Sequence, residues 1–333
     1  MLILAAIACA VCALIAASLM AGSSDLSLRE VLAGLFMVDD HARIIVWNLR
    51  MPRILTALIG GVALAIAGCA FQSVLRNPLA SASTLGISQG AAFGASVAII
   101  VVGAGGSAMF EGVTFGNPYI TAVCAFLGAV ASSVIILVLS KLRSLSPESI
   151  VLAGVALSAV FTGATALIQY FAEDTQVAAV VFWTFGDLGR VSYRELAIIG
   201  AVTLIASLFF ACNRWNLNAV ESGEHSAHSL GVDTKALRLS SVLMASAAAS
   251  TVIAFCGTIN FIGLAAPHIA RRLIGDDYRY LLAGSAVTGA GLLLLSDLLA
   301  RTLLAPIILP ISAITSFVGA PVFLYLLMKG ARR

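Results

Sequence analysis

The sequence predicts an all-α polytopic membrane protein, about ten transmembrane helices in one compact bundle. Three observations carry this. Hydrophobic residues make up 60% of the 333, and Asp, Glu, Lys and Arg only 11%, too little charge to cover a water-soluble surface. The apolar residues come in runs of roughly 17–24, close to the 20 that carry a helix across lipid. The breaks between runs are short and charged or Gly/Pro-rich. Lipid offers a backbone no hydrogen-bond partners, so each run is expected to be helical. The work of such a chain is done across a membrane.

The runs lie near 1–21, 52–72, 85–103, 118–140, 148–171, 194–213, 237–256, 259–275, 280–303 and 309–329, and together form one permease-sized domain over 1–333. The first lacks the positive n-region of a secretory signal and is read as an uncleaved helix. The third carries Gly86, Gly90 and Gly94 on one face, and the ninth repeats the small-residue spacing at Ser285 and Gly289. Such faces let helices approach closely where hydrophobicity cannot drive association. The eighth is the weakest span, short and carrying Pro267, His268, Arg271 and Arg272. The longest polar stretches are Gly22–Met51 and Asn213–Lys235.

Ten spans put both termini on one side. If that side is cytoplasmic, 12 of the 19 Lys and Arg fall inside, as the positive-inside rule expects. Arg29, Arg43, Arg50 and Arg53 then stand outside against the rule, which calls for a functional reason. A net charge of +3 is too small to suggest nucleic acid.

Several motifs have two readings. Cys9, Cys12, Cys69, Cys124, Cys212 and Cys256 lie in or beside apolar runs and read as small core residues rather than a redox pair at Cys9-x-x-Cys12. Gly86-Ile87-Ser88-Gln89-Gly90 matches the Gly-x-Ser-x-Gly hydrolase pattern. That motif needs a preceding strand, so the glycines are assigned to packing, with an intramembrane Ser88–His268 protease as the minor reading. His225-x-x-His228 beside Glu221 and Glu224 fits a metal on spacing and a solvated loop helix equally in pattern; no metal is assigned. Asp297 and Arg301 lie four apart and read as a local helix pair near the interface.

No Gly-Lys dipeptide exists in the chain, so no Walker A loop can wrap a nucleotide. Uphill transport would need another polypeptide or an ion gradient. Apart from Asp297 the helix centres lack the acids that ion coupling uses. A stand-alone ion-coupled secondary transporter is the alternative.

An ordered set of motifs spans residues 50–330: Arg50-Met51-Pro52-Arg53, Leu58-Ile59-Gly60-Gly61, Arg76-Asn77-Pro78-Leu79-Ala80, Leu85-Gly86-Ile87-Ser88-Gln89-Gly90, Ser229-Leu230-Gly231-Val232, Phe261-Ile262-Gly263-Leu264-Ala265-Ala266-Pro267-His268, Ser296-Asp297-Leu298-Leu299-Ala300-Arg301 and Gly319-Ala320-Pro321. The chain resembles the permease subunit of type II ABC importers, the family that imports ferric siderophores, haem and cobalamin. The resemblance implies a second permease copy or close paralogue, two cytoplasmic ATPase subunits that bind ATP and Mg, and a periplasmic substrate-binding protein, in a bacterial or archaeal cytoplasmic membrane with both termini cytoplasmic. It implies no catalytic residue and no cofactor in this chain. Arg50, Arg53 and Arg301 match arginines that dock the binding protein. Asn77, Pro78 and Leu79 match one cytoplasmic gate, and Ser146 and Pro147 fall where the family has a second, although Pro147 departs from some members. Glu221, Ser222, Gly223, Glu224, His225, His228, Leu230 and Gly231, within the loop 214–236, match the loop that seats in the ATPase. The cargo implied is a metal chelate, an iron-siderophore first and haem or cobalamin next.

Overall fold

A computed structural model describes residues 2–22, 27–104, 118–143 and 147–330. The described residues contain helices and no strand. In chain order the helices are α1 (Leu2–Met20), α2 (Leu28–Leu35), α3 (Asp40–Ile44), α4 (Met51–Val74), α5 (Ile87–Ser96), α6 (Pro118–Arg143), α7 (Pro147–Tyr170), α8 (Asp174–Phe185), α9 (Tyr193–Cys212), α10 (Arg214–Glu221), α11 (Glu224–Ser229), α12 (Thr234–Cys256), α13 (Ile262–Ile274), α14 (Tyr278–Thr302) and α15 (Ile311–Gly330). A π-helical segment, Ile45–Arg50, joins α3 to α4, and a second, Val97–Val101, extends α5.

Among the described residues seven helical stretches are long and apolar enough to cross a bilayer, and Ile87–Val101 and Ile311–Tyr325 are shorter apolar helices. The eighth expected span is α13, with 13 residues; at about 1.5 Å per residue it reaches only about 20 Å. The polar stretches hold more order than their composition suggests. Gly22–Met51 contains α2 and α3, and the connection after α7 contains α8. The start of α2 is fixed by a capping box, in which Ser27 and Glu30 exchange hydrogen bonds with each other's backbone.

The centre of the bundle is α4, buried along nearly its whole length. It packs most extensively on α14, then on α12 and α13. Glycine makes that approach possible. A Cβ placed on Gly61 would lie 2.4 Å from the Gly289 carbonyl oxygen, and one on Gly68 1.7 Å from that of Gly263. A second glycine seam joins α5 to α6, where a Cβ on Gly90 would meet the Gly128 oxygen at 2.4 Å and one on Gly94 the Cys124 oxygen at 2.1 Å. Backbones this close gain dispersion contacts that side chains would block.

The periphery is different. Only 11% of the apolar stretch of α1, and the same share of α7, is buried within the chain, leaving apolar faces that lipid or another subunit must cover. This corrects the core reading of the cysteines. Cys69 and Cys256 are buried, but Cys9, Cys12 and Cys212 are exposed on this chain's surface. Facing lipid demands the same apolar side chains as facing a core, so composition does not separate the two.

The helices alternate between two ends. Side chains near the end of α14 bond the carbonyls at the end of α1, and Ile311 at the start of α15 bonds the Gly186 carbonyl beside them. One end therefore gathers the arginines and the other the α10–α11 loop. Leu2 and Gly330 both lie at the loop end.

Candidate functional site

At the arginine end, Pro52 stands where the π-helical Ile45–Arg50 runs into α4, and its missing N–H interrupts the helical ladder there. That junction presents Arg50 and Arg53. The Arg53 Nε donates to Asp297 Oδ1 at 2.7 Å, and its Nη1 lies 3.3 Å from Asp187 Oδ1. From the other side the Arg301 Nε donates to Asp297 Oδ2 at 3.0 Å. Arg301 also donates to the Ala21 carbonyl at 2.9 Å and to Ser18 Oγ at 2.5 Å. Arg50 donates to the Leu19 carbonyl and to that of Met20 at 3.1 Å. These carbonyls at the end of α1 have no helical donors of their own, and cations there also meet the negative pole of the helix.

The sequence suggested that these arginines stand outward. Instead Arg50 is 5% exposed and Arg53 8%, and Asp297, fully buried, is shared between two helices rather than forming one local pair. A buried carboxylate is tolerated only when paired. Asp297 supplies the pairing, and α4, α14 and α1 converge on it. Arg53 and Arg301 share Asp297, Asp187 lies beside Arg53, and Arg50 joins the same end through the α1 carbonyls.

At the loop end, the segment after α4 turns back into the bundle. The Leu79 N–H donates to Asn77 Oδ1 at 2.8 Å, an Asx-type turn. Arg76 adopts φ +44° and Gly86 φ +71°. Leu79 is exposed while Ala80 is fully buried. Ser132 of α6 donates to the Leu85 carbonyl at 2.8 Å, and Gly154 of α7 packs on the Thr84 carbonyl. Two membrane helices thus brace Thr84–Leu85, at the far end of the segment that the Asn77–Leu79 turn opens. Ser146 lies outside the described residues, and Pro147 opens α7.

The loop 214–236 is largely helical. Gly223 takes φ +114° between α10 and α11, and Gly231 φ +80° after α11. The Gly231 N–H donates to the His228 carbonyl and the Val232 N–H to the Ala227 carbonyl, a Schellman motif that makes Leu230-Gly231 the helix stop. His225, His228 and Leu230 are exposed. Among the described residues no group of three or more His, Cys, Asp or Glu gathers.

Three residues on α10 face the α13–α14 turn. The Asn218 Nδ2 donates to Asp277 Oδ1 at 3.0 Å, and its Oδ1 accepts from the Tyr278 N–H at 2.8 Å. Glu221 accepts from Arg271 at 3.0 Å, and Asp276 shares that guanidinium at 3.1 Å. The Arg279 guanidinium lies 5.0 Å from the Trp215 ring centre, within cation–π range. Arg279 also holds the Asp277 carboxyl well below the usual carboxylate range, first by its side-chain and then by its backbone hydrogen bond.

A model of the FecCD transport family matches residues 9–329. The chain belongs to that family. It is 50% identical over 317 residues to a protein of Methanocaldococcus jannaschii named as an ABC transporter permease, covering 95% of this chain and 91% of that one. It is 36% identical over 290 residues to the hemin transport system permease HmuU of Yersinia pestis, covering 85% and 83%. A solved inward-facing structure assigned to the metal-chelate type of ABC transporter superposes with a TM-score of 0.86 at 28% identity, over 98% of this chain and 99% of the other. Members of the family are multi-pass membrane permease subunits of type II ABC importers and are not themselves enzymes. An ABC permease implies ATPase and permease partners.

For a FecCD permease the hydrolase reading of Ser88 has no support in the geometry. Ser88 lies on α5, which packs on α6, α7 and α12, while His268 lies on α13, which packs on α4, α14 and α15. The His268 ring stacks at 5.2 Å from that of Phe323. Asp187, Asn218, Arg271 and Asp277 had not been singled out as site residues. Asp187 caps a 3-10 turn, accepting from the Gly189 N–H, and Asp277 caps α14. An Asp before a helical run is readable as a cap, but a partner 59 residues away is not.

Proposed function

We propose that this permease, with a second copy or close paralogue, two ATPase subunits and an extracytoplasmic binding protein, imports a metal chelate by alternating access. The cargo we favour is an iron-siderophore, ahead of haem and cobalamin. The proposed setting is a bacterial or archaeal cytoplasmic membrane, with the loop end and both termini in the cytoplasm. ATP and Mg belong to the partner ATPases. The observation that carries this reading is the pair of short polar helices, α10 and α11, held at one end of an otherwise apolar bundle in a chain of an importer-permease family.

In this reading the segment Glu221, Ser222, Gly223, Glu224, His225, His228, Leu230 and Gly231 seats in the ATPase. The turn Asn77-Pro78-Leu79, with Ser146-Pro147, closes the path on the same side. At the other end Arg50, Arg53 and Arg301 mark the side that meets an acidic docking surface of the binding protein. Opposite charge steers such an encounter and weakens with salt. The burial of the guanidiniums adds a structural part to that role, holding α1, α4 and α14 together. The ligand exerts its effect only through a difference in affinity between inward and outward states.

Asp297 argues against the stand-alone ion-coupled alternative. This buried acid is ion-paired on both sides, by Arg53 and Arg301, and so is engaged in joining helices rather than open to a passing ion. The test is uptake of a ferric siderophore into proteoliposomes holding the permease, its ATPase and its binding protein. Uptake is expected only with all three and ATP. Uptake by the permease alone on a proton or sodium gradient overturns the proposal.

A further inference from the structure

Resting on the reading of α10–α11 as the ATPase-facing segment, the geometry points to a particular joint by which that segment moves the membrane helices. The chain leaves α10–α11 covalently toward α9 and α12, yet the side-chain contacts of α10 go elsewhere. Trp215, Asn218 and Glu221 are spaced three apart, so they share one face of α10. All three reach the α13–α14 turn, at Arg279, Asp277–Tyr278 and Arg271 in that order.

The middle contact is the sharpest. The first N–H of a helix has no partner within the helix and takes one from a capping side chain. In α14 the caps are divided. Asp277 accepts from the Arg279 N–H, and the Tyr278 N–H is capped by Asn218, a residue of another helix. The start of α14 is therefore complete only while α10 is in place. Tyr278 in turn is buried and donates to the Cys69 carbonyl of α4 at 3.1 Å, which ties the same point to the central helix. From there α14 runs 25 residues without a break, about 37 Å, to the Asp297–Arg301 cluster.

Asn218, Glu221 and Arg271 are thus positioning residues of a joint that converts displacement of α10–α11 into displacement of α13 and α14 against α4. None of them touches cargo or nucleotide. Loss of Asn218 or Arg271, which lie outside the ATPase-seating segment, should leave ATPase binding and hydrolysis by the bound ATPase in place while separating hydrolysis from transport.

The test uses the full importer in proteoliposomes, with ATPase capture, ATP turnover and siderophore uptake measured on the same preparations. N218A and R271E should capture ATPase as the unaltered permease does, yet deliver about tenfold less uptake per ATP hydrolysed, the usual size of a coupling between linked sites. E221R/R271E restores opposite charge and should recover most of the ratio, which a merely structural defect would not do. Uptake per ATP within twofold of the unaltered permease in N218A and R271E overturns the joint, as does an E221R/R271E variant no better than R271E. If the unaltered permease captures no ATPase, the reading of α10–α11 fails and the joint with it; capture with full coupling in N218A and R271E removes the joint alone.

Discussion

At the arginine end, Asp297 is out of contact with solvent and shared by two guanidiniums from different helices, whereas at the loop end Asp277 stays partly exposed and is held by its own helix start, by Arg279 and by Asn218. Both ends join α14 to its neighbours with an aspartate, but by different physics. A buried carboxylate has exchanged its water for fixed partners, so each partner is indispensable. An exposed one keeps water as a substitute, so its bonds set geometry more than stability. The bundle is therefore welded where α1, α4 and α14 meet and hinged where α10 meets α14.

The comparison breaks most directly at Asp297. Asp297→Ala leaves the Arg53 and Arg301 guanidiniums facing each other in a largely dry site, and removing one member of a buried ion pair costs about 3–5 kcal/mol. The expected outcome is a large drop in melting temperature and folded yield in detergent, with Asp297→Asn intermediate because it can still accept. Melting unchanged by Asp297→Ala would mean that the arginine end is not a weld.

Next in size is the glycine seam that lets the welded helices approach. A methyl group on Gly68 would sit 1.7 Å from the Gly263 carbonyl oxygen, and backbone on that side has no rotamer by which to yield. Gly68→Ala should destabilise by about 1–3 kcal/mol, the range of overpacked cores, whereas Gly163→Ala, with open space around the position, should be near neutral by comparison. Equal melting for the two variants would show that close approach of α4 and α13 is dispensable.

The loop end sharpens the contrast through pH. Asp277 has its carboxyl depressed below its ordinary 3.8, chiefly by Arg279. A depressed acid adds stability that is fully present above its unfolded value and is lost only as pH falls through the folded one. Its contribution should therefore be constant from pH 8 to about 5 and decline only below about 4. A comparison of Asp277→Asn with the unaltered chain by thermal melting should give a constant difference over pH 5–8. A difference that changes near pH 6 would place another titrating group in the cap.

How much of this was legible in the sequence follows from the range of each interaction. The apolar runs set the membrane helices, because crossing lipid imposes a length and a composition that no fold can waive. Gly90 and Gly94 announced a close seam by spacing alone, although not that Gly128 and Cys124 would be the partners. Ser27-x-x-Glu30 is a readable cap for α2 inside the polar stretch Gly22–Met51. Arg301 four residues after Asp297 was readable as a pair; Arg53, 244 residues earlier, was not, and its arrival turned a local pair into a three-helix junction. The same holds for Asn218, whose capping of α14 depends on tertiary placement. Exposure of Cys9 and Cys12 was hidden because lipid-facing and core-facing helices share one alphabet.

The smallest effect is expected between the two ends, at Ser88. Its hydroxyl is buried, at 3% exposure, and has no hydrogen-bond partner among the described residues. An unpartnered buried hydroxyl contributes little, and replacing it with a methyl group leaves no other polar group orphaned. The neighbouring seam is built by Gly86, Gly90 and Gly94, none of which changes. Ser88→Ala should thus shift stability by less than about 0.5 kcal/mol and leave uptake per ATP unaltered in reconstituted vesicles. A Ser88→Ala variant that melts normally yet loses uptake would give the hydroxyl a role in the transport path, and the bundle would then carry a functional polar group midway between its weld and its hinge.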